Sequence, residues 1–185
     1  MNAEKREEEL IRHKIAYTYL ELLRKKARDE ISVTELAKAA GVSRMAFYRK
    51  FGSKWDVVDF YLGGIMHWEV AWDERNGGDL NIWDLEYGTR FFKAMKEHRE
   101  DILTLMDRGY ATLLLRVINM TNENAGGDMS IRSIERYNLY FLAGAGFNAM
   151  LIWLRDGCRE SPEEMAQALR DYMSSGERIR RGRLE

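Results

Sequence analysis

The chain has 185 residues, 45% of them hydrophobic and 32% charged, with a formal net charge of −1. That length suits one domain or two small ones, and the apolar content excludes a disordered chain. A single proline and little strand-like alternation point to an all-α protein. The lone Cys158 excludes an intrachain disulfide framework and fits a reducing cytoplasm.

In chain order, the first expected helix spans Glu4 to Lys26, with Leu10, Ile11, Ile15, Tyr19, Leu22 and Leu23 at near-helical spacing. Ser32 with Glu35 reads as a capping box opening a second helix, whose apolar face is Leu36, Ala37 and Ala40. Gly41 ends that helix, because glycine enters a left-handed C-cap without steric cost. Ser43 caps a third helix with Ala46, Phe47 and Phe51 facing inward. Ser53, with Asp56, caps a fourth. Two short helices joined by a glycine turn suggest a helix-turn-helix. The outer side of the second carries Arg44, Met45, Tyr48, Arg49 and Lys50, a mixture suited to phosphates and base edges. The competing reading of that face is a stable hairpin with a charged outside.

These residues also carry a resemblance. Gly41-Val42-Ser43, Phe47-Tyr48, Phe51 and Ser53-Lys54 resemble the signature of the tetracycline-repressor (TetR/AcrR) family, over roughly Lys5 to Tyr61. Trp55, Lys50 and Ala27-Arg28-Asp29 depart from its commonest pattern, which puts the operator sequence in question and not the fold. Residues 1–55 hold 13 Lys/Arg against 8 Asp/Glu, while the remainder holds 16 against 22. A basic third on an acidic body is the charge pattern of a DNA-reading head.

A longer helix, Lys54 to Glu74, follows. Val57, Tyr61, Ile65, Trp68 and Trp72 form one stripe and Val58, Leu62 and Met66 another, so it links head to body. Gly77-Gly78 breaks it. Asn81 with Asp84 is an expected cap for Ile82–Lys96. Helices at Arg99–Asp107 and Tyr110–Asn122 come next, with Gly109 and Gly126-Gly127 as breaks. Ser130 to Arg155 is the longest apolar helix, ended by Gly157. Ser161-Pro162-Glu163-Glu164 opens the last one with a serine cap, proline at N1 and glutamate at N3. The stretches Trp153–Gly157 and Glu160–Met165 are similar to a C-terminal type frequent in Firmicutes members of the same family. The expected architecture is thus all-α, about nine helices. It comprises a helix-turn-helix head (1–53), a helical effector-binding and dimerisation body (54–176) and a flexible basic tail (177–185).

Function follows from these pieces. The expected DNA contacts are Arg44, Met45 and Arg49 near base edges, and Tyr48, Lys50 and Lys54 on phosphates. Ser32 and Ser43 offer capped helix starts to the backbone. The body's aromatics and methionines suit an adaptable apolar site, and the resemblance implies an effector pocket there. Met66, Trp68, Phe92, Tyr110, Tyr137 and Phe141 are its candidate walls, and Asn148 and His67 could orient a ligand. Each fills a plain core equally well. Glycines in Ala143-Gly144-Ala145-Gly146 cost up to about 1 kcal/mol each inside a helix and permit close approach of another backbone. A homodimer face with Gly144, Gly146, Met165, Leu169 and Tyr172 would account for them, as the resemblance also implies; close packing within one chain is the alternative.

The three histidines lie at no metal-ligand spacing, so no metal, cofactor or enzyme activity is expected. Nor is a membrane span or signal peptide. The partners expected are a palindromic operator duplex, a small apolar or aromatic effector and a second copy of the chain. The reading is a repressor; the rival is a co-regulator of the same fold that acts through a protein partner.

Overall fold

The computed structural model describes residues 3–66, 84–125, 134 and 136–175. Among these are nine α-helices and no strand: α1 (Ala3–Lys25), α2 (Val33–Ala39), α3 (Arg44–Lys50), α4 (Lys54–Met66), α5 (Leu85–Glu97), α6 (Arg99–Asp107), α7 (Ala111–Ala125), α8 (Arg136–Arg155) and α9 (Pro162–Ser175). A 3-10 turn, Arg28–Glu30, joins α1 to α2. His67, Trp68, Trp72, the breaks at 77–78 and 126–127, the expected start at Ser130 and the basic tail lie outside the described residues.

Local chemistry sets the helix ends. Ser32 Oγ accepts from the Glu35 amide at 3.1 Å and Ser43 Oγ from the Ala46 amide at 3.0 Å. Each satisfies one orphan donor of the first turn. The expected box at Ser32 is half made, because the Glu35 carboxylate turns to Lys26 Nζ instead. At Ser161 the box is complete: the Ser161 amide donates to Glu164 Oε2 at 2.7 Å and the Glu164 amide to Ser161 Oγ at 3.1 Å. Helix α5 begins at Leu85, with Asp84 in the cap position, three residues later than expected.

Three helices end alike. Gly41, Gly109 and Gly157 have φ of +65°, +84° and +86°. At each, the glycine amide and the next amide reach back into the last turn: Gly41 to Lys38 and Val42 to Ala37, Gly109 to Met106 and Tyr110 to Leu105, Gly157 to Leu154 and Cys158 to Trp153. Only glycine adopts this backbone cheaply, and the residue after it is steered back toward the fold.

The core runs without a break from Ile15, Tyr19 and Leu23 of α1, through Leu36, Phe47 and Phe51, into Leu62, Phe92, Leu105, Leu114, Met150 and Leu154. Head and body therefore share one hydrophobic interior. Leu10, expected on the inner face of α1, is 70% exposed; the helix turns Ile15, Tyr19 and Leu23 inward, and Leu10 falls off that stripe. A second, small cluster joins Tyr87, Leu139 and Leu142 with Leu169 and Met173. It forms where α9 lies along α5 and meets α8.

Candidate nucleic-acid interface and ligand cavity

Helix α3 is anchored from one side. Phe47 is fully buried and meets Phe51 with ring centroids 6.1 Å apart. Burying such a side chain stabilises by about 2–3 kcal/mol, which fixes the helix rotation. The opposite face is then presented to solvent. Ser43, Arg44, Met45, Tyr48 and Arg49 are all exposed, Met45 by 78%. The Arg44 guanidinium sits 5.6 Å from the Tyr48 ring centroid, within reach of a cation–π attraction. Ser32, at the start of α2, is exposed as well.

The remaining two expected contacts are placed differently. Lys54 Nζ donates to the carbonyls of Arg28 at 2.7 Å and Ile31 at 2.6 Å. Its ammonium thus ties α4 to the turn before α2, a structural use that spacing alone could not reveal. Lys50 pairs with Glu8 of α1 and is largely covered. The hydrogen bond and charge of Lys50 hold the Glu8 carboxyl below its usual range. Arg12 also stays off the reading face, lying over the Phe60 ring at 4.1 Å.

Behind the head, α1 docks on α6 and the start of α7. Tyr19 and Tyr110 are fully buried and share a 2.7 Å hydrogen bond between hydroxyls. Arg108 Nε donates to the Leu23 carbonyl at 2.8 Å. Asp101 accepts from both Arg24 of α1 and Tyr61 of α4, and Tyr61 also meets His98 at 3.2 Å. Trp55, where the resemblance leads one to expect an acid, packs edge-on to Tyr110 at 4.7 Å, with the Arg28 guanidinium over both rings. Burial pushes the Tyr19, Tyr61 and Tyr110 phenols up.

In the body, an apolar cavity of about 40 Å³, partly open to solvent, lies between α5, α7, α8 and α9. Tyr87, Phe91, Asn122, Leu142, Gly146 and Leu169 are among its walls. The Tyr87 hydroxyl donates to Asn122 Oδ1 at 3.2 Å, and Asn122 Nδ2 donates to the Leu139 carbonyl at 3.4 Å. Two wider grooves lie beside His98: one of about 370 Å³ lined mainly by charged side chains, and one of about 300 Å³ where Arg90, Lys93 and Glu97 meet Gly64, Ile65 and Ala94.

The structure does not gather the expected effector set around that cavity. Phe92 is fully buried against Trp153 at 5.5 Å. Tyr110 belongs to the head–body junction. Met66 is buried at the described end of α4, and Tyr137 and Phe141 point outward at 58% and 65% exposure. Asn148 is exposed, its amide donating to the Gly144 carbonyl. The expected dimer set divides too. A Cβ at Gly144 would meet nothing within 4 Å, whereas one at Gly146 would lie 3.8 Å from Leu169 Cδ2, so Gly146 and Leu169 face the protomer's own interior. Met165 and Leu169 pack half-buried on the core, and Tyr172 is 56% exposed. Sequence reasoning missed Asn122. Its place four residues after Ile118, on the same buried face, was the available signal.

Among the described residues no cluster of metal-binding side chains occurs, and no helix is long and apolar enough to cross a membrane. The family model for "Bacterial regulatory proteins, tetR family" matches residues 20–59, and that for "Transcriptional regulator C-terminal region" matches 85–175. No curated protein matches the chain. The fold is similar to a tetR-family transcriptional regulator from Streptomyces coelicolor, at 20% identity and a TM-score of 0.54, covering 95% of this chain and 81% of that one. It is also similar to the dihydroxyacetone kinase operon activator DhaS, at 14% identity and 0.54, covering 90% and 95%. A third likeness is to the fatty acid degradation regulator FadR of Bacillus halodurans, at 18% identity and 0.53, covering 92% and 97%. The helix-turn-helix with its exposed α3 face falls inside one matched segment and the cavity-bearing helices inside the other, and on these grounds the chain belongs to the TetR family of transcriptional regulators.

Proposed function

We propose that the protein is a cytoplasmic, homodimeric repressor that binds a palindromic operator and leaves it when a small molecule occupies the body. The observation that carries this reading is the outer face of α3: Arg44, Met45, Tyr48 and Arg49, exposed together on a helix whose rotation Phe47 fixes. Arg44 and Arg49 read base edges with Met45 against a thymine methyl, and Tyr48 meets the phosphate backbone. Ser32 and Ser43 bring helix starts to phosphates. One short helix reads too few base pairs for genomic specificity, so two heads are needed, about 34–36 Å apart. An apolar stripe on α8, comprising Tyr137, Phe141 and Ile152 with the bare backbone of Gly144, supports a two-fold interface there, extended by Tyr172 of α9.

The test is footprinting and fluorescence anisotropy on duplexes flanking the protein's own gene, across a salt series. Nanomolar binding to one fragment, with Arg44→Ala altering sequence preference, is the expected result. The engagement of Lys50 and Lys54 inside the protein favours a second reading, a co-regulator that acts through a protein partner. Micromolar binding with no fragment preferred at moderate salt would decide for it.

A further inference from the structure

We propose that Tyr48 is the positioning residue for Arg44, and that Arg44 so held reads one G·C base pair of the operator half-site. The assignment rests on the regulator reading above and names the base read and the side chain that supports its reader.

An arginine on a solvent-facing helix samples many rotamers, and fixing one of them on DNA costs affinity. Arg44 is steadied before DNA arrives. A row of rings runs from the core to its guanidinium. Phe51 and Phe47 are buried, with centroids 6.1 Å apart. Tyr48, 48% exposed, stands edge-on to Phe47 at 5.4 Å, the two ring planes 87° apart. One helical turn back, the Arg44 guanidinium lies over the Tyr48 ring at 5.6 Å. Phe47 therefore steadies the Tyr48 ring as well as the helix, and the ring in turn steadies Arg44. The Tyr48 hydroxyl and its ring face are different parts of one side chain, so a phosphate contact does not compete with the stack.

The other cations of α3 are compensated differently. Lys50 pairs with Glu8, and Arg49 lies close enough to help hold that carboxyl ionised. Arg44 pairs with no carboxylate among the described residues. An ion pair would occupy part of the guanidinium fork, whereas a ring beneath it leaves the N–H donors for another partner. That fork matches guanine best. In the major groove guanine O6 and N7 both accept, so two parallel donors are satisfied at once. Adenine sets a donor beside its N7 and satisfies only one.

The experiment selects duplexes from a random pool with the full chain. The best duplex is then altered one base pair at a time within one half-site, and binding is read by fluorescence anisotropy. Comparison of wild type with Arg44→Ala locates the base pair that Arg44 reads. It is expected to be G·C, with a preference of roughly tenfold or more that Arg44→Ala loses. 7-Deazaguanine at that place, which lacks the N7 acceptor, should weaken wild type and leave Arg44→Ala unaffected. Tyr48→Phe keeps the ring and should keep the preference. Tyr48→Leu removes the ring and should lower the preference at that pair alone, by about two- to fivefold, the worth of an exposed cation–π contact. Each preference is a ratio measured on one preparation, so a partly misfolded variant loses affinity for every duplex without moving it. A base pair other than G·C, or no response to 7-deazaguanine, overturns the base assignment. The positioning role is overturned if Tyr48→Leu weakens all duplexes alike, if Tyr48→Phe loses the preference, or if Tyr48→Leu still shifts that pair when added to Arg44→Ala. A wild type that selects no sequence refutes the regulator reading and takes the proposal with it, whereas the other adverse results leave that reading standing.

Discussion

Replacing Tyr19 or Tyr110 by phenylalanine isolates one hydrogen bond that joins head to body across 91 residues of sequence. Both side chains are fully buried, and their hydroxyls lie 2.7 Å apart. Tyr19→Phe removes one hydroxyl and strands the other without water, which costs about 1–3 kcal/mol. Tyr110→Phe does the same in reverse while keeping its ring against Trp55. Replacing both strands neither, so the double variant should be far less destabilised than the sum of the singles. The expected coupling is about 1–3 kcal/mol. For a chain of this size, 2 kcal/mol corresponds to a fall of about 4–8 °C in Tm. Urea and thermal melts at one fixed protein concentration measure it, because any self-association would make stability depend on concentration. Single effects that simply add would refute the reasoning and mean that each hydroxyl has its own partner.

Three further outcomes are expected. Burial raises the Tyr19, Tyr61 and Tyr110 phenols above their usual pKa, so their stabilisation is complete below about pH 10 and is lost as pH climbs beyond it. Phenolate absorbance should show these three ionising only as the protein unfolds, and their free titration in the folded state would contradict this. Glu8→Gln releases Lys50 from its partner and should tighten operator binding, steepening the salt dependence by about one; an unchanged slope would mean that Lys50 never reaches a phosphate. Lys54→Met gives up two charge-assisted bonds to carbonyls and should cost about 2 kcal/mol of stability. A flattened salt slope without any loss in Tm would place that ammonium on the DNA instead.

The head was legible in the sequence because its information is local. A serine three residues before an amide, a glycine at a left-handed turn and a phenylalanine at helical spacing each act within a turn or two, and the structure shows each in place. Side chains with distant partners were not legible. Lys54 finds carbonyls 23 and 26 residues earlier, and Lys50 finds Glu8 across 42. The place of the cavity was not legible for the same reason. Phe92, Tyr137 and Phe141 lie on body helices as expected, but helix rotation turns the first into the core and the others outward. The cavity is walled instead by Tyr87, Phe91, Leu142 and Leu169, with Gly146 and with Asn122, whose polarity stands out only once its surroundings are known.

The three glycine-ended helices make the order of residues at those joints a matter of phase. After Gly41, Gly109 and Gly157 the chain turns back at once, and Val42, Tyr110 and Cys158 are partly or wholly enclosed. No slack is left in which to lose an extra residue. One residue inserted after Gly109 would rotate all of α7 by about 100°, since a helix takes 3.6 residues per turn. Tyr110 would swing away from Tyr19, Arg116 from Asp59 and Asn122 from Tyr87 in one step. The tightness of a single turn therefore keeps the head, the linking helix and the body cavity in register with one another, so the spacing between these residues is under tighter constraint than the identity of most of them.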